Sequence, residues 1–283
     1  MAMDEKDVTA IKPDCLAGAA IEAKAETVAL GKTKLEVGRC FALAVLAGMF
    51  IASGALFMTY VKSDSTLPFA VSQVFGAAMF SLGLIMVIVA GAELFTGNNL
   101  MVTAALSGRC SWGQVLKNWV IVYVGNLVGS LVIVGCAFGA NCMGMNGGEV
   151  GSTMMTVAAG KIALSPDVII FRGIMCNFLV CMAVWMGFAG RTVIDKIFTS
   201  AFPVTAFVAM GFEHCVANMF FLPMGLVAKL SGVAYTGTAN VDLITIGGVL
   251  YNIGFATLGN IIGGAVFVGV MYWIAYAKRK AAK

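Results

Sequence analysis

Two short stretches hold the residues best suited to chemistry. Gly211-Phe-Glu213-His214-Cys-Val-Ala-Asn218 contains the sole histidine and reads G-x-E-x-x-x-x-N. Gly91-Ala-Glu93-Leu94-Phe-Thr96-Gly-Asn98 has the same pattern. A carboxylate, an amide, a hydroxyl and an imidazole so close together can hydrogen-bond a ligand or move a proton. A lone histidine is ordinarily structural. Here the equivalent place in the first stretch is Leu94, and a titratable side chain present in one copy only is hard to ascribe to a scaffold. That marks His214 as functional.

The surrounding chain has 283 residues, 60% of them hydrophobic and 11% charged. A soluble fold of this length lacks the polar residues to cover its surface. The composition, with 34 glycines, 18 methionines and 19 phenylalanines, fits helices packed in lipid. It excludes a soluble enzyme and a disordered chain, and a net charge of +4 is too small for a nucleic-acid reader. The eight cysteines form no CxxC pair and read as small hydrophobes, with no metal site or cofactor. The first 36 residues mix seven acids with five lysines, unlike a cleavable signal peptide.

Charges delimit the apolar runs. Arg39 to Lys62 brackets one span, Asp64 to Glu93 a second that resumes from Leu100 toward Leu106, and Lys117 to Glu149 a third. A fourth runs from near Val168 to Arg191. The fifth starts after Lys196, meets Glu213 and His214 and resumes to Ala228, and the sixth runs from about Ile244 to Ala277. Six spans of roughly 20 residues each are predicted. One side receives thirteen Lys and Arg, among them Lys6, Lys12, Lys24, Lys32, Arg109 and Lys196 and those of the C-terminus. The other receives Lys62, Lys161 and Lys229, with Arg39 and Arg172 near span ends. This bias puts both termini in the cytoplasm.

A second pair of stretches repeats in the same order: Gly125-Asn-Leu-Val-Gly129 and Gly259-Asn-Ile-Ile-Gly263. Three spans per half is an odd number, so the halves insert with opposite orientations. The expected organisation begins with a cytoplasmic segment 1–36, with a helix over 14–34, and a first repeat 37–139. Then come an external connecting loop 140–160, a second repeat 161–277 and a tail 278–283. The G-x-E stretches fall mid-span, where an ionised side chain facing lipid costs from about 2.5 to over 10 kcal/mol. Irregular backbone survives there only against protein or a cavity, so both breaks should meet near the midplane. Gly91 and Gly211 are expected at the breaks, with Glu93 and Glu213 receiving hydrogen bonds from the freed backbone. The Gly-x-x-x-Gly pairs let spans three and six pack closely.

At these residues the chain resembles the formate–nitrite transporter family, most closely its formate channels. The resembling segments are Phe80-Ser-Leu-Gly-Leu84, Glu93-Leu-Phe-Thr96, Lys117-Asn-Trp119, Asn177-Phe-Leu-Val-Cys-Met-Ala-Val-Trp185, Gly211 through Gly225 and Gly259-Asn-Ile-Ile-Gly-Gly264. The resemblance implies an all-α, aquaporin-like fold in the bacterial cytoplasmic membrane, a homopentamer, and one pore per protomer. The implied substrates are small monovalent anions: formate first, with nitrite, hydrosulfide or another short monocarboxylate as the alternative. It also implies that His214 sits at the pore centre with Asn177 and Asn218 nearby. Phe80 and Phe207 would constrict one side, Leu84, Leu94 and Val180 the other, and Lys161 would stand in the external vestibule. The Thr96 hydroxyl either bonds His214 and a passing anion or caps the second half-helix.

A bare anion in a dry constriction faces a Born cost of tens of kcal/mol. Protonating a carboxylate of pKa about 4 at pH 7 costs only about 4 kcal/mol. Two mechanisms stay open: His214 donates a proton for the crossing, or a protonated His214 compensates an anion that stays charged. One histidine and two isolated glutamates supply no catalytic constellation, so an enzyme is not expected.

Overall fold

The computed structural model describes residues 15–277. The expected tail 278–283, with its basic residues, and Lys6 and Lys12 lie outside the described residues. Among those described, every regular element is helical. Helix α1 spans Gly18–Thr33, α2 Val37–Lys62, α3 Phe69–Phe80 and α4 Leu82–Ala90. A short α5 (Phe95–Asn98), a 3₁₀ turn and α6 (Val102–Leu106) lead to α7 (Trp112–Gly139). Then come α8 (Glu149–Ile162), α9 (Pro166–Ala189), α10 (Val193–Ala209) and α11 (Cys215–Leu230). Helix α12 (Ile246–Ile261) continues through a π-helical stretch, Ile262–Val270, into α13 (Met271–Tyr276).

Five helical runs are long and apolar enough to cross a membrane: Val37–Lys62, Phe69–Ala90, Trp112–Gly139, Pro166–Ala189 and Ile246–Tyr276. The fifth span read from the sequence divides into α10, of 17 residues, and α11, of 16. At about 1.5 Å per residue, neither alone crosses a core about 30 Å thick. Phe69, Phe171, Phe202, Leu230 and Ile246 stand two-thirds or more exposed. Such a surface suits hydrocarbon, where helices also keep every backbone group satisfied internally.

Helix starts reflect local chemistry. Ser111 with Gln114 and Thr192 with Asp195 form capping boxes on α7 and α10, and Pro166 opens α9. The Gly-x-x-x-Gly pairs seat α7 on α2 and α12 on α9. A Cβ on Gly129 would strike the Val45 carbonyl, and one on Gly263 the Ile174 carbonyl. Only glycine permits that approach.

Residues 140–160, expected as a connecting loop, contain most of α8. Glu149 in its first turn and Lys161 in its last complement the helix dipole. Helix α8 lies on α11, where a Cβ on Gly225 would clash with Ala158, and Ser152 bonds Thr236 at 2.7 Å.

Helix α1 docks beneath the bundle. Ala25 and Ala29 are buried, Lys24 donates to the Phe188 carbonyl at 2.7 Å, and Glu26 holds Ser107 and Arg109. Glu22 is 2% exposed, and neither carboxylate oxygen has a partner among the described residues. Burial first, then the Glu26 carboxylate, push its carboxyl from 4.5 up to about 7. A carboxyl that holds its proton better when docked favours docking below its solvent value, and that contribution is lost as pH rises through about 7. Amide exchange in residues 18–33, corrected for intrinsic rates, should therefore speed up between pH 5.5 and 8. In Glu22→Gln the protection should stay level, and equal slopes in both proteins would show that Glu22 is no part of docking.

Candidate functional site

The two G-x-E stretches are non-helical joints built alike. Helix α4 ends at Gly91, with φ +81°, and Gly91 and Ala92 both donate to the Val87 carbonyl. Helix α10 ends near Gly211, φ +71°, where Phe212 donates to the Phe207 carbonyl. The left-handed φ alone calls for glycine, because an added Cβ would meet no neighbour at either position. Next, Glu93 N–H donates to the Leu43 carbonyl and Glu213 N–H to that of Arg172. Leu94 and His214 are extended, and α5 and α11 begin.

The first amide of each new helix is received by an asparagine from the last long helix of its half. Phe95 N–H donates to Asn126 Oδ1 at 2.9 Å and Cys215 N–H to Asn260 Oδ1 at 2.8 Å. Asn126 then donates to the Ala44 and Glu93 carbonyls, and Asn260 to those of Gly173 and Glu213. The glutamates do not receive freed backbone amides, as the sequence suggested. Glu93 takes Asn98 at 2.7 Å and Lys32 at 2.6 Å; Glu213 takes Asn218 at 2.7 Å and Lys161 at 2.8 Å. Asn98 also donates to Asn118, and Asn218 to Asn252.

These partners match at constant offsets. Lys32, Leu43 and Ala44 lie 129 residues before Lys161, Arg172 and Gly173 (161 − 32 = 172 − 43 = 173 − 44). Glu93 and Asn98 lie 120 before Glu213 and Asn218, while Asn118 and Asn126 lie 134 before Asn252 and Asn260. Sequence reasoning missed Lys32, Asn118, Asn126, Asn252 and Asn260 as site residues. The signals were present. Asn126 and Asn260 belong to the Gly-Asn-x-x-Gly repeat, and Gly31-Lys32-x-x-Leu35 matches Gly160-Lys161-x-x-Leu164.

His214 breaks the likeness. Its side chain caps α11, Nδ1 accepting from Ala217 N–H at 3.0 Å, while Nε2 lies 2.9 Å from Thr96 Oγ1. With Nδ1 an acceptor, the neutral ring carries its hydrogen on Nε2 and donates it to Thr96. The threonine hydroxyl then keeps its own hydrogen for another acceptor. Thr96 itself caps nothing: it lies inside α5, whose cap position is Leu94. Asn177 is enclosed, donating toward Asn99, the Thr96 carbonyl and the Asn260 carbonyl. It fastens the two joints to each other and lines none of the cavities around them.

Three spaces adjoin the joints. A cavity of about 620 Å³ opens beside Lys32, lined also by Lys24, Lys196, Glu93, Leu84 and Leu94. One of about 350 Å³ opens beside Lys161, with Lys62, Arg172, Phe80, Phe207, Asn218 and His214. Between them is a slot of about 10 Å³ bounded by Ile51, Phe80, Leu84, Leu94, Val180, Val204, Phe207 and His214. A water needs at least about 10–15 Å³, so the slot is too tight for a hydrated anion, and its walls are apolar apart from the imidazole. Leu84 and Leu94 face both slot and first cavity; Phe80, Phe207 and His214 face both slot and second. The Phe80 and Phe207 rings meet edge to face at 6.1 Å, and Phe207 stacks on His214 at 5.9 Å. The structure thus brings together six residues singled out from the sequence and adds Ile51 and Val204. Each cavity carries three cationic side chains against one carboxylate, which favours anions.

Comparison with known proteins agrees. The family profile described as formate/nitrite transporter matches residues 19–274. The chain is 38% identical over 273 residues to the formate channel FocA of Escherichia coli K12, covering 94% of this chain and 96% of that one. It is 36% identical over 264 residues to a probable formate transporter of Methanothermobacter thermautotrophicus, covering 87% and 92%. Among solved structures, a pentameric formate channel with formate bound superposes with a TM-score of 0.75 at 35% identity, over 86% of this chain and 98% of that one.

The buried ion pair yields a direct test. Glu213 is 1% exposed, so Lys161→Met strands a carboxylate and should destabilise the protein by about 3–5 kcal/mol. Adding Glu213→Gln removes the stranded charge and should recover most of the loss in thermal unfolding of the purified protein. A double variant no more stable than the single would refute the coupling.

Proposed function

We propose that this chain, which belongs to the formate/nitrite transporter family, is a multi-pass membrane channel that passes formate. The observation that carries this reading is a tight, largely apolar slot with one imidazole–hydroxyl pair at its edge, set between two cation-lined cavities. The protein is a transporter and not an enzyme. As in the pentameric relative, five copies assemble, each with its own pore.

The architecture proposed is six spans in two inverted three-span repeats, aquaporin-like, with the second span of each half broken at the midplane. The constant offsets of the joint partners support it. They also support widening the repeat: Lys32 of α1 answers Lys161 of α8, so the halves run 18–139 and 149–276 instead of starting at 37 and 161. The excess of Lys and Arg assigns both termini to the cytoplasm of a bacterial cytoplasmic membrane, with the cavity beside Lys161 facing outward.

Magnitudes select the mode of passage. A charged formate in the slot would lose its hydration against alkyl and aryl walls, at far more than the roughly 4 kcal/mol needed to protonate a pKa 4 acid at pH 7. Formate gathers in a cavity, takes a proton from hydronium in the cavity water, crosses as formic acid, and returns the proton to water in the far cavity. Thr96, its oxygen occupied by His214 Nε2–H, donates its hydroxyl hydrogen to the passing carboxyl oxygen. His214 serves as a neutral donor. Its Nδ1 faces the Ala217 amide at the positive end of α11, and an imidazolium there would set N–H against N–H. Both mechanisms drawn from the sequence need an imidazolium, so the geometry favours this third one.

The test is flux through the reconstituted protein under gradients of formate, nitrite and hydrosulfide at several external pH values. Formate flux should rise smoothly as external pH falls from 7.5 to 5.5, by up to about tenfold per unit as the acid fraction grows. Thr96→Val and His214→Phe should lower it more than tenfold at every pH. An inflection in the pH profile that disappears in His214→Asn would reinstate histidine as proton donor. Slow formate flux beside fast nitrite or hydrosulfide flux would move the substrate assignment.

A further inference from the structure

We propose that Lys62, with Arg172 and Gln73, forms a first binding station for small carboxylates in the cavity beside Lys161, and that Lys62 rather than Lys161 supplies the charge that fills that cavity. The inference deepens the channel reading above and rests on it.

Lys161 is the cation that sequence reasoning assigns to this cavity, yet its charge is already matched. Its ammonium lies 2.8 Å from a Glu213 carboxylate that also takes Asn218 and Asn252. Lys32 makes the same pair with Glu93 at the equivalent joint. A pair present in both halves, each time beside a helix break, belongs to the joint. To an approaching anion it is nearly neutral.

Subtracting that pair leaves two cations in the wall, Lys62 and Arg172. Among the described residues no carboxylate pairs with either, Lys62 has no hydrogen-bond partner, and Arg172 has the Gly211 carbonyl at 3.4 Å. Lys62 ends α2, and its stem lies along α3, its Cγ 3.5 Å from where a Cβ on Gly76 would stand. The stem is therefore held by packing while the ammonium reaches the cavity.

Gln73, on α3, lines the same cavity, and its buried amide oxygen has no partner among the described residues. An unmet buried acceptor calls for a ligand that donates, and its NH₂ group offers donors in turn. A carboxylate can take the Lys62 ammonium and the Gln73 amide on its two oxygens. Once protonated, the acid can give its O–H to the Gln73 carbonyl when that buried amide turns toward the cavity. The station thus accepts the substrate both before and after it gains its proton. Phe80, Phe207 and Phe221 wall this cavity with apolar surface, which concentrates the field of the two cations.

The test uses the full-length protein in vesicles sorted for one orientation, with formate flux at pH 7 as the readout. Lys62→Met should lower permeability at low formate about five- to tenfold, within the range by which charged clefts raise local ion concentrations. It should also raise the half-saturating formate concentration on the Lys62 face. A passive pore at equal concentrations has one permeability, so the fall must be the same in both directions. Salt separates the faces. Wild-type flux should slow with salt added on either face; Lys62→Met, which keeps Arg172, should respond less than wild type to salt on the Lys62 face and as wild type to salt on the other. Lys62→Arg should behave as wild type and Lys62→Gln as Lys62→Met, which separates charge from packing. Wild-type permeability and wild-type salt response in both Lys62→Met and Lys62→Gln would overturn the station. Absence of formate flux in the wild type would overturn the channel reading itself.

Discussion

A helix interrupted inside hydrocarbon must find partners for the backbone groups it frees, because no water is there to take them. In the architecture proposed above, that requirement organises this protein. Each interruption leaves the amide of an incoming helix without an intrahelical acceptor, and an asparagine from another helix receives it. The same side chain donates to two further carbonyls, so one amide group locks three segments. Around it sit a buried carboxylate, a lysine and two more asparagines. Their charges cancel within the joint, which leaves its buried polar groups without an exposed net charge.

Much of this was legible in the chain. The alternation of charge and apolar runs delimits apolar segments, and two repeated motifs in the same order point to the two-half architecture proposed. The resemblance implies an aromatic constriction of Phe80 and Phe207 and an apolar one of Leu84, Leu94 and Val180 on either side of His214; the structure gathers all six around one slot. What escaped was the partner of each polar group. A glutamate beside a helix break can take backbone or side-chain donors with equal chemical sense, and nothing in linear spacing says that Asn98 and Lys32 arrive first. Asn126 and Asn260 were masked by the glycines around them, which read as a helix-packing motif and serve as one too. Helix α8 was hidden because its polar residues and glycines resemble a loop until the face it presents to α11 is known. Asn177 was placed near the pore by family likeness, but its amide is enclosed between the joints.

The departures from symmetry are as informative as the symmetry. The joints agree in turn, amide receiver, carboxylate and lysine, and differ where Leu94 faces His214. A leucine caps nothing, whereas the imidazole caps α11 and presents its other nitrogen to Thr96 of the opposite half. The polar part of the slot is therefore assembled from both halves, and neither could supply it alone.

The wiring of the joints also bears on how the chain is made. Asn126 ties together only segments of the first half, and Asn260 binds the second-half joint to α9, which precedes it. As the ribosome delivers helices in order, the Phe95 amide of the first break has to wait until α7 emerges and is then received within the first half, while the Thr96 carbonyl and Asn99 still wait for Asn177 of α9. The second waits in the same way for α12. Biogenesis can thus proceed as two successive amide closures, each finished by its own last long helix, with the contact between His214 and Thr96 forming as the halves come together.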